Sequence, residues 1–151
     1  MREEIFISRQ DIARPRAEVF AFFSDPANLE RLTPPWLRFR VLTPGPLPRG
    51  EGAVFDYRLS VRGLPLRWRT LIETWEEGSR FVDRQLVGPY ALWHHTHRFQ
   101  DLPGGGTRIE DQVRYKIGWG LLGRIVTALW VRRDIDRIFA YRREAIARIL
   151  G

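Results

Sequence analysis

Residues Gly88 to Phe99 read GPYALWHHTHRF, and the alternation in that stretch decides how the rest of the chain is read. At a period of two, Trp93, His95, His97 and Phe99 share one face, while His94, Thr96, Arg98 and Gln100 share the other. The first face mixes large aromatic rings with titratable imidazoles. That mixture suits the wall of a ligand cavity better than a plain core. Gly88-Pro89 is a turn signal, so the stretch is one arm of a β-hairpin.

Working outward, further strands are expected near residues 38–43, 53–62, 66–76, 80–87 and 107–117. Pro44-Gly45-Pro46, Gly63, Glu77-Gly78 and Gly104-Gly105-Gly106 break them. Connections this short join antiparallel neighbours. Upstream, residues 4–12 alternate as a first strand. Arg14-Pro15 opens a helix with Val19, Phe20, Phe22 and Phe23 as its apolar face. Ser24-Asp25-Pro26 ends it and caps a second short helix through Leu32, which the prolines of Thr33 to Trp36 stop. From Leu121 the period turns helical. Thirty residues in one straight helix would span ~45 Å, longer than a compact domain of this size. A break or turn is therefore expected near Gly120 to Gly123, with the main helix running to about Leu150.

This order predicts an α+β fold over 1–151 as a single domain, β-α-α-β6-α with about seven strands. A strongly curved antiparallel sheet wraps around the long C-terminal helix, and the two short helices close one end. One helix stripe cannot fill so curved a sheet, so an internal cavity is expected.

Composition bounds the function. No apolar run approaches the ~20 residues of a membrane-spanning helix, and the charged, alternating N-terminus lacks a signal peptide's apolar centre. There are no cysteines, which excludes disulfide and thiol chemistry and suits a reducing cytoplasm. The net charge is +7, and Lys116 is the only lysine among 25 basic residues. The arginines are dispersed among acidic residues with no basic block, a pattern of solvated ion-pair faces rather than of nucleic-acid binding. Gly104-Gly105-Gly106 precedes no helix and so forms no phosphate loop, and no Gly-x-Ser-x-Gly nucleophile motif occurs.

The chain resembles the START-related helix-grip superfamily (SRPBCC), which includes lipid-transfer domains and polyketide cyclases and dehydrases. The segments that carry the resemblance are ARPRAEVFAFFSDPANLERLTPPW, RFVDRQLVGPYALWHHTHRF, GGTRIEDQVRY and IFAYRREAI. The last three look like a bacterial subgroup described as ligand-binding, sometimes joined to a nucleoside-diphosphate-sugar-epimerase-like domain. The resemblance implies an interior pocket for a hydrophobic small molecule, such as a lipid, isoprenoid or aromatic polyketide-like compound. It does not imply one shared reaction.

Phasing each strand by its apolar set gives the candidate lining. Phe55, Tyr57, Leu59 and Val61 point inward from one strand, and Trp68, Thr70, Ile72 and Thr74 from the next. Phe81, Asp83, Gln85 and Val87 follow, then Trp93, His95 and His97, then Ile109, Asp111, Val113 and Tyr115. On the terminal helix Ala128, Ile135, Phe139, Arg142 and Ile146 form one stripe. Arg142 on that stripe is expected to reach Asp83 or Asp111. Phe55, Tyr57, Trp68, Phe81, Trp93, Tyr115 and Phe139 are the candidate apolar contacts, and Asp83, Gln85, His95 and His97 the polar anchors. Trp119, between two glycines, is a candidate for the pocket entrance.

The alternative is an enzyme of cyclase or dehydratase type using His95, His97, Asp83 and Asp111 as acid and base. His95-x-His97 with Asp83 or Asp111 also has the composition of a metal site, but spacing fixes no further ligand. No metal and no cofactor are therefore expected. Trp130 and Tyr141 lie opposite the stripe and mark either a homodimer contact or a surface covered by the rim of the sheet.

Overall fold

The computed structural model describes residues 3–118 and 121–151, with side chains from 130 onward in the last helix. The elements of regular structure among the described residues follow the sequence reading closely. They are β1 (Glu4–Ile12), α1 (Arg16–Phe23), α2 (Leu29–Leu32), β2 (Arg40–Val41), β3 (Val54–Val61), β4 (Leu64–Glu76), β5 (Arg80–Val87), β6 (Tyr90–Asp101) and β7 (Thr107–Ile117), with α3 (Leu121–Leu150) closing the chain. Short 3-10 turns at Pro26–Asn28 and Pro35–Leu37 flank α2. The first is capped as its sequence suggests, the Asp25 carboxylate accepting from the Ala27 amide at 3.0 Å.

All neighbours in the sheet are antiparallel, in the order β1-β7-β6-β5-β4-β3-β2. β3 and β4 meet through a two-residue turn in which Arg62 and Gly63 both have positive φ, the turn geometry that matches strand twist. β1 pairs with β7 rather than with its sequence neighbours. The sheet thus brings the chain's first strand beside its last.

α3 is one element of thirty residues from Leu121 to Leu150, so its end falls where expected and no break interrupts it after Leu121; Gly120 lies outside the described residues. One expectation is corrected. In β4 the pairing register shifts between Ile72 and Thr74. A bulge moves one residue out of the alternation, so Trp75, not Thr74, faces inward. Its indole meets Phe20 at 5.2 Å and Phe81 at 5.9 Å.

The core falls into two apolar groups. One joins Val19, Phe20 and Phe23 of α1 to Phe55, Tyr57, Phe81, Phe99 and the end of α3 at Ala145, Ile146 and Leu150. The other gathers Val113, Tyr115, Ile135 and Phe139, with Phe6, Tyr90 and Trp93 against it. A polar layer lies between them. No helix among the described residues is long and apolar enough to cross a membrane.

Thr107 ties the start of β7 to the loop before α1. It is fully buried, and its Oγ1 donates to the Arg14 carbonyl at 2.7 Å. Thr107→Val keeps the shape and strands that carbonyl, so stability should fall by about 1–2 kcal/mol. Urea unfolding would show this as a lower midpoint with an unchanged slope.

Candidate functional site

Three adjacent strands and the helix assemble the polar layer. Register places Asp83 of β5 opposite His95 of β6, and His97 of β6 opposite Asp111 of β7. All four point to the inner face because each strand alternates in phase with its apolar neighbours. His95 and His97, two residues apart on one face, stack with ring centroids 3.7 Å apart. Phe81 stacks on the far side of His97 at 4.1 Å, and Phe139 meets His95 edge-on at 5.8 Å.

Each imidazole bridges the same two carboxylates. His95 Nε2 lies 2.9 Å from Asp111 Oδ1, and His97 Nε2 lies 2.5 Å from Asp83 Oδ2. The second nitrogens are turned the other way: His97 Nδ1 is 3.3 Å from Asp111 Oδ1 and His95 Nδ1 is 3.8 Å from Asp83 Oδ2. Arg142 of α3 donates from Nη2 to Asp111 Oδ1 at 3.3 Å. Its guanidinium lies over the rings of Phe23 and Phe139 at 5.1 and 5.8 Å. The stripe position of Arg142 thus serves Asp111.

His95, His97, Asp111 and Arg142 are all buried. Asp83 differs, keeping 20% of its side-chain surface accessible while on the inner face. Burial alone would raise both carboxyls. At Asp111 the charge of Arg142, the hydrogen bond of His95 and the nearby His97 outweigh it and hold the group well below the ordinary range. At Asp83 burial is likewise outweighed, by His95 and His97, and the carboxyl is lowered. Burial, helped by the neighbouring His97, pushes His95 down. On His97 burial acts in the same direction, but its contact with Asp111, its hydrogen bond to Asp83 and the charges of both prevail and raise it. Two stacked imidazoles cannot both hold charge cheaply. The first proton that the pair takes up as pH falls therefore belongs to His97.

The remaining lining residues fall in two groups. Trp68, Trp93 and Tyr115 join an aromatic wall in which Trp68 and Trp93 meet at 5.4 Å and Trp93 and Tyr115 at 6.5 Å. Phe55 and Tyr57 stack at 6.4 Å beside it. Burial and the charge of Asp83 raise the Tyr57 hydroxyl far above its usual value. Gln85 is engaged elsewhere: its amide nitrogen donates to the Tyr90 carbonyl at 2.8 Å and its oxygen accepts from the Tyr90 amide at 3.2 Å. It closes the β5–β6 turn. Trp119 and Ala128 lie outside the described side chains.

Sequence reasoning missed Tyr90, which meets Trp93 at 4.8 Å and Trp68 at 5.7 Å. A register shift between Tyr90 and Leu92 brings it to the face of Trp93, and only the preceding Gly88-Pro89 hints at that irregularity. Trp130 remains exposed with the Arg62 guanidinium over its ring at 5.0 Å, and Tyr141 is half-buried against the exposed Trp36 at 6.0 Å. Two depressions open on the outer surface, one of about 400 Å³ lined by Leu42, Arg58, Pro65, Leu66 and Arg67, the other of about 440 Å³ lined by Arg9, Gln10, Asp11, Arg108 and Arg143. Neither includes a residue of the histidine cluster.

A seven-stranded antiparallel sheet curved over one long C-terminal helix defines a helix-grip domain. Residues 6–148 match the family described as polyketide cyclase / dehydrase and lipid transport, and the chain belongs to it. Among solved structures, TTHA0849 of Thermus thermophilus is 17% identical with a TM-score of 0.68, covering 98% of this chain and 100% of that one. A Streptomyces aromatase/cyclase is 16% identical with a TM-score of 0.68, covering 98% and 96%. Both share the fold. A Corynebacterium glutamicum protein named as a nucleoside-diphosphate sugar epimerase is 30% identical over 72% of this chain, with a TM-score of 0.56. The match spans 24% of that larger protein. No curated protein matches the chain in sequence.

Proposed function

We propose that the domain binds and carries a small, largely apolar molecule between the sheet and α3. The observation that carries this reading is the accessible fifth of Asp83 on the inner face, beside the half-buried indoles of Trp68 and Trp93. Space reaches the polar layer there, and its walls are aromatic. Phe55, Tyr57, Trp68, Phe81, Trp93, Tyr115 and Phe139 supply apolar contact. Asp83 and the two histidines receive the polar end of the ligand, while Arg142 holds Asp111 in place behind them. Family membership supports a ligand-binding or cyclase role.

Protein purified without detergent should show a retained small-molecule mass, one per chain, by native mass spectrometry. Trp93→Ala should weaken its retention about tenfold, equivalent to ~1.4 kcal/mol. Absence of any retained mass, together with no uptake of an apolar fluorescent probe, would remove the reading.

A second reading has an observation of its own. The two imidazoles sit in environments that move their protonation in opposite directions, the arrangement that separates an acid from a base. On this reading His97 gives a proton and His95 takes one in a cyclisation or dehydration beside a carbonyl. His95→Gln should then abolish turnover of a bound carbonyl compound while leaving its affinity largely intact, and equal loss of both would favour carriage alone.

A further inference from the structure

The two carboxylates that sandwich the histidines are not equivalent. Asp111 is bound by Arg142, and its charge is met by an arginine that α3 delivers. Asp83 accepts no arginine hydrogen bond among the described residues, and it is the member with accessible surface. His95 Nδ1, His97 Nε2 and Asp83 Oδ2 converge on that side, and one donor atom from each of the three residues lies within 4.8 Å of the others.

We infer that Asp83, His95 and His97 form a binding site for a divalent transition metal of the zinc class, with Asp111 and Arg142 as its outer support. Two imidazoles and one carboxylate are borderline donors suited to zinc, cobalt or iron(II) rather than to calcium or magnesium. Three protein ligands with an open fourth position are the pattern of reactive rather than purely structural zinc sites.

The hydrogen bonding of the cluster supports the assignment. His97 Nδ1 is buried and makes no hydrogen bond, although Asp111 Oδ1 lies 3.3 Å away. While the proton of a neutral His97 sits on Nε2 and faces Asp83, that second nitrogen has nothing to donate. A metal on Nε2 moves the proton to Nδ1, where Asp111 waits to accept it. His95 is already arranged this way, with Nε2 at 2.9 Å from Asp111 Oδ1 and Nδ1 turned toward Asp83. A carboxylate behind each metal-binding imidazole fixes its tautomer and raises its basicity. Loading requires the Asp83–His97 pair to spread from 2.5 Å to about 3.3 Å, the separation of donors around one tetrahedral zinc-sized ion. Charge then favours occupancy: with neutral imidazoles the cluster is one negative charge in excess, and the ion reverses that.

The inference does not rest on the cavity ligand, since metal uptake and retention of an apolar mass are separate measurements and either can fail alone. Chelator-treated full-length protein is titrated with cobalt(II) and followed in the visible region, then gel-filtered and analysed for metal. One cobalt per chain, with ligand-field bands of a four- or five-coordinate site and displacement by zinc, is the expected result. Asp83→Asn and His97→Gln should each abolish retention, and Asp111→Asn should weaken it about 10- to 100-fold. His94→Gln, on the opposite face of β6, should leave uptake unchanged. Wild-type protein that keeps no cobalt through gel filtration would overturn the assignment. So would uptake that survives both Asp83→Asn and His97→Gln, because the ion would then lie elsewhere.

Discussion

Asp111→Asn is expected to lower the stability of the domain by about 3–5 kcal/mol, because it removes the one group that Arg142, His95 and His97 all share. The substitution keeps the shape and takes away the charge. Arg142 cannot follow its lost partner to water, since it is buried against Phe23 and Phe139. The folded protein has one partial relief: without the Asp111 charge His97 holds a proton less tightly, and Asp83 remains to balance Arg142. The loss should therefore come with a lower His97 pKa, visible by NMR. Arg142→Met in the same background removes the stranded cation and fills its volume with an apolar chain. The double variant should recover more than 1 kcal/mol relative to the sum of the single losses, as coupled buried charges do. If Asp111→Asn unfolds in urea within about 1 kcal/mol of the parent, the polar layer is not held as described.

That layer shows which parts of the molecule can be read from sequence. β7 alternates without interruption, so Ile109, Asp111, Val113 and Tyr115 are legible as an inner face, and all four are buried. Arg142 announces itself by standing on the apolar stripe of α3 between Phe139 and Ile146. Which histidine meets which carboxylate is a different matter. It depends on the strand order β7-β6-β5 and on the pairing register: a slip of one residue would turn a partner to the outer face, and a slip of two would exchange the partners. Bulges are the other blind spot. The register shifts near Thr74 and Tyr90 exchange a threonine for Trp75 and add Tyr90 to the aromatic wall; the first carries no composition signal and the second only the Gly88-Pro89 before it. Gln85 illustrates a third limit. Its phase was legible, but a side chain long enough to bend back onto its own turn can spend both ends of its amide on the backbone.

The polar layer also sets how the metal-free protein responds to pH. Two imidazoles should titrate separately by NMR after chelator treatment, His97 above the ordinary value of about 6.5 and His95 below it. The groups that face them are Asp83 from β5, Asp111 from β7, Arg142 from α3 and each other, with Tyr57 of β3 nearby. Because the folded pKa of His97 is raised, its contribution to stability is complete below about pH 6.5 and fades as pH climbs through the folded value. Because that of His95 is depressed, its contribution is complete above about pH 6.5 and fades as pH falls through its own folded value. Asp83 and Asp111, both lowered, add stability that is present above about pH 4 and is lost at more acid pH as each is protonated. The cluster's share of stability should therefore peak near pH 6.5, with a loss on either side. His97→Gln should flatten the alkaline limb and, by removing the neighbouring charge, raise the pKa of His95. A single pKa common to both rings, or urea midpoints that keep rising through pH 8–9, would mean that the pair does not share one proton between two unlike sites.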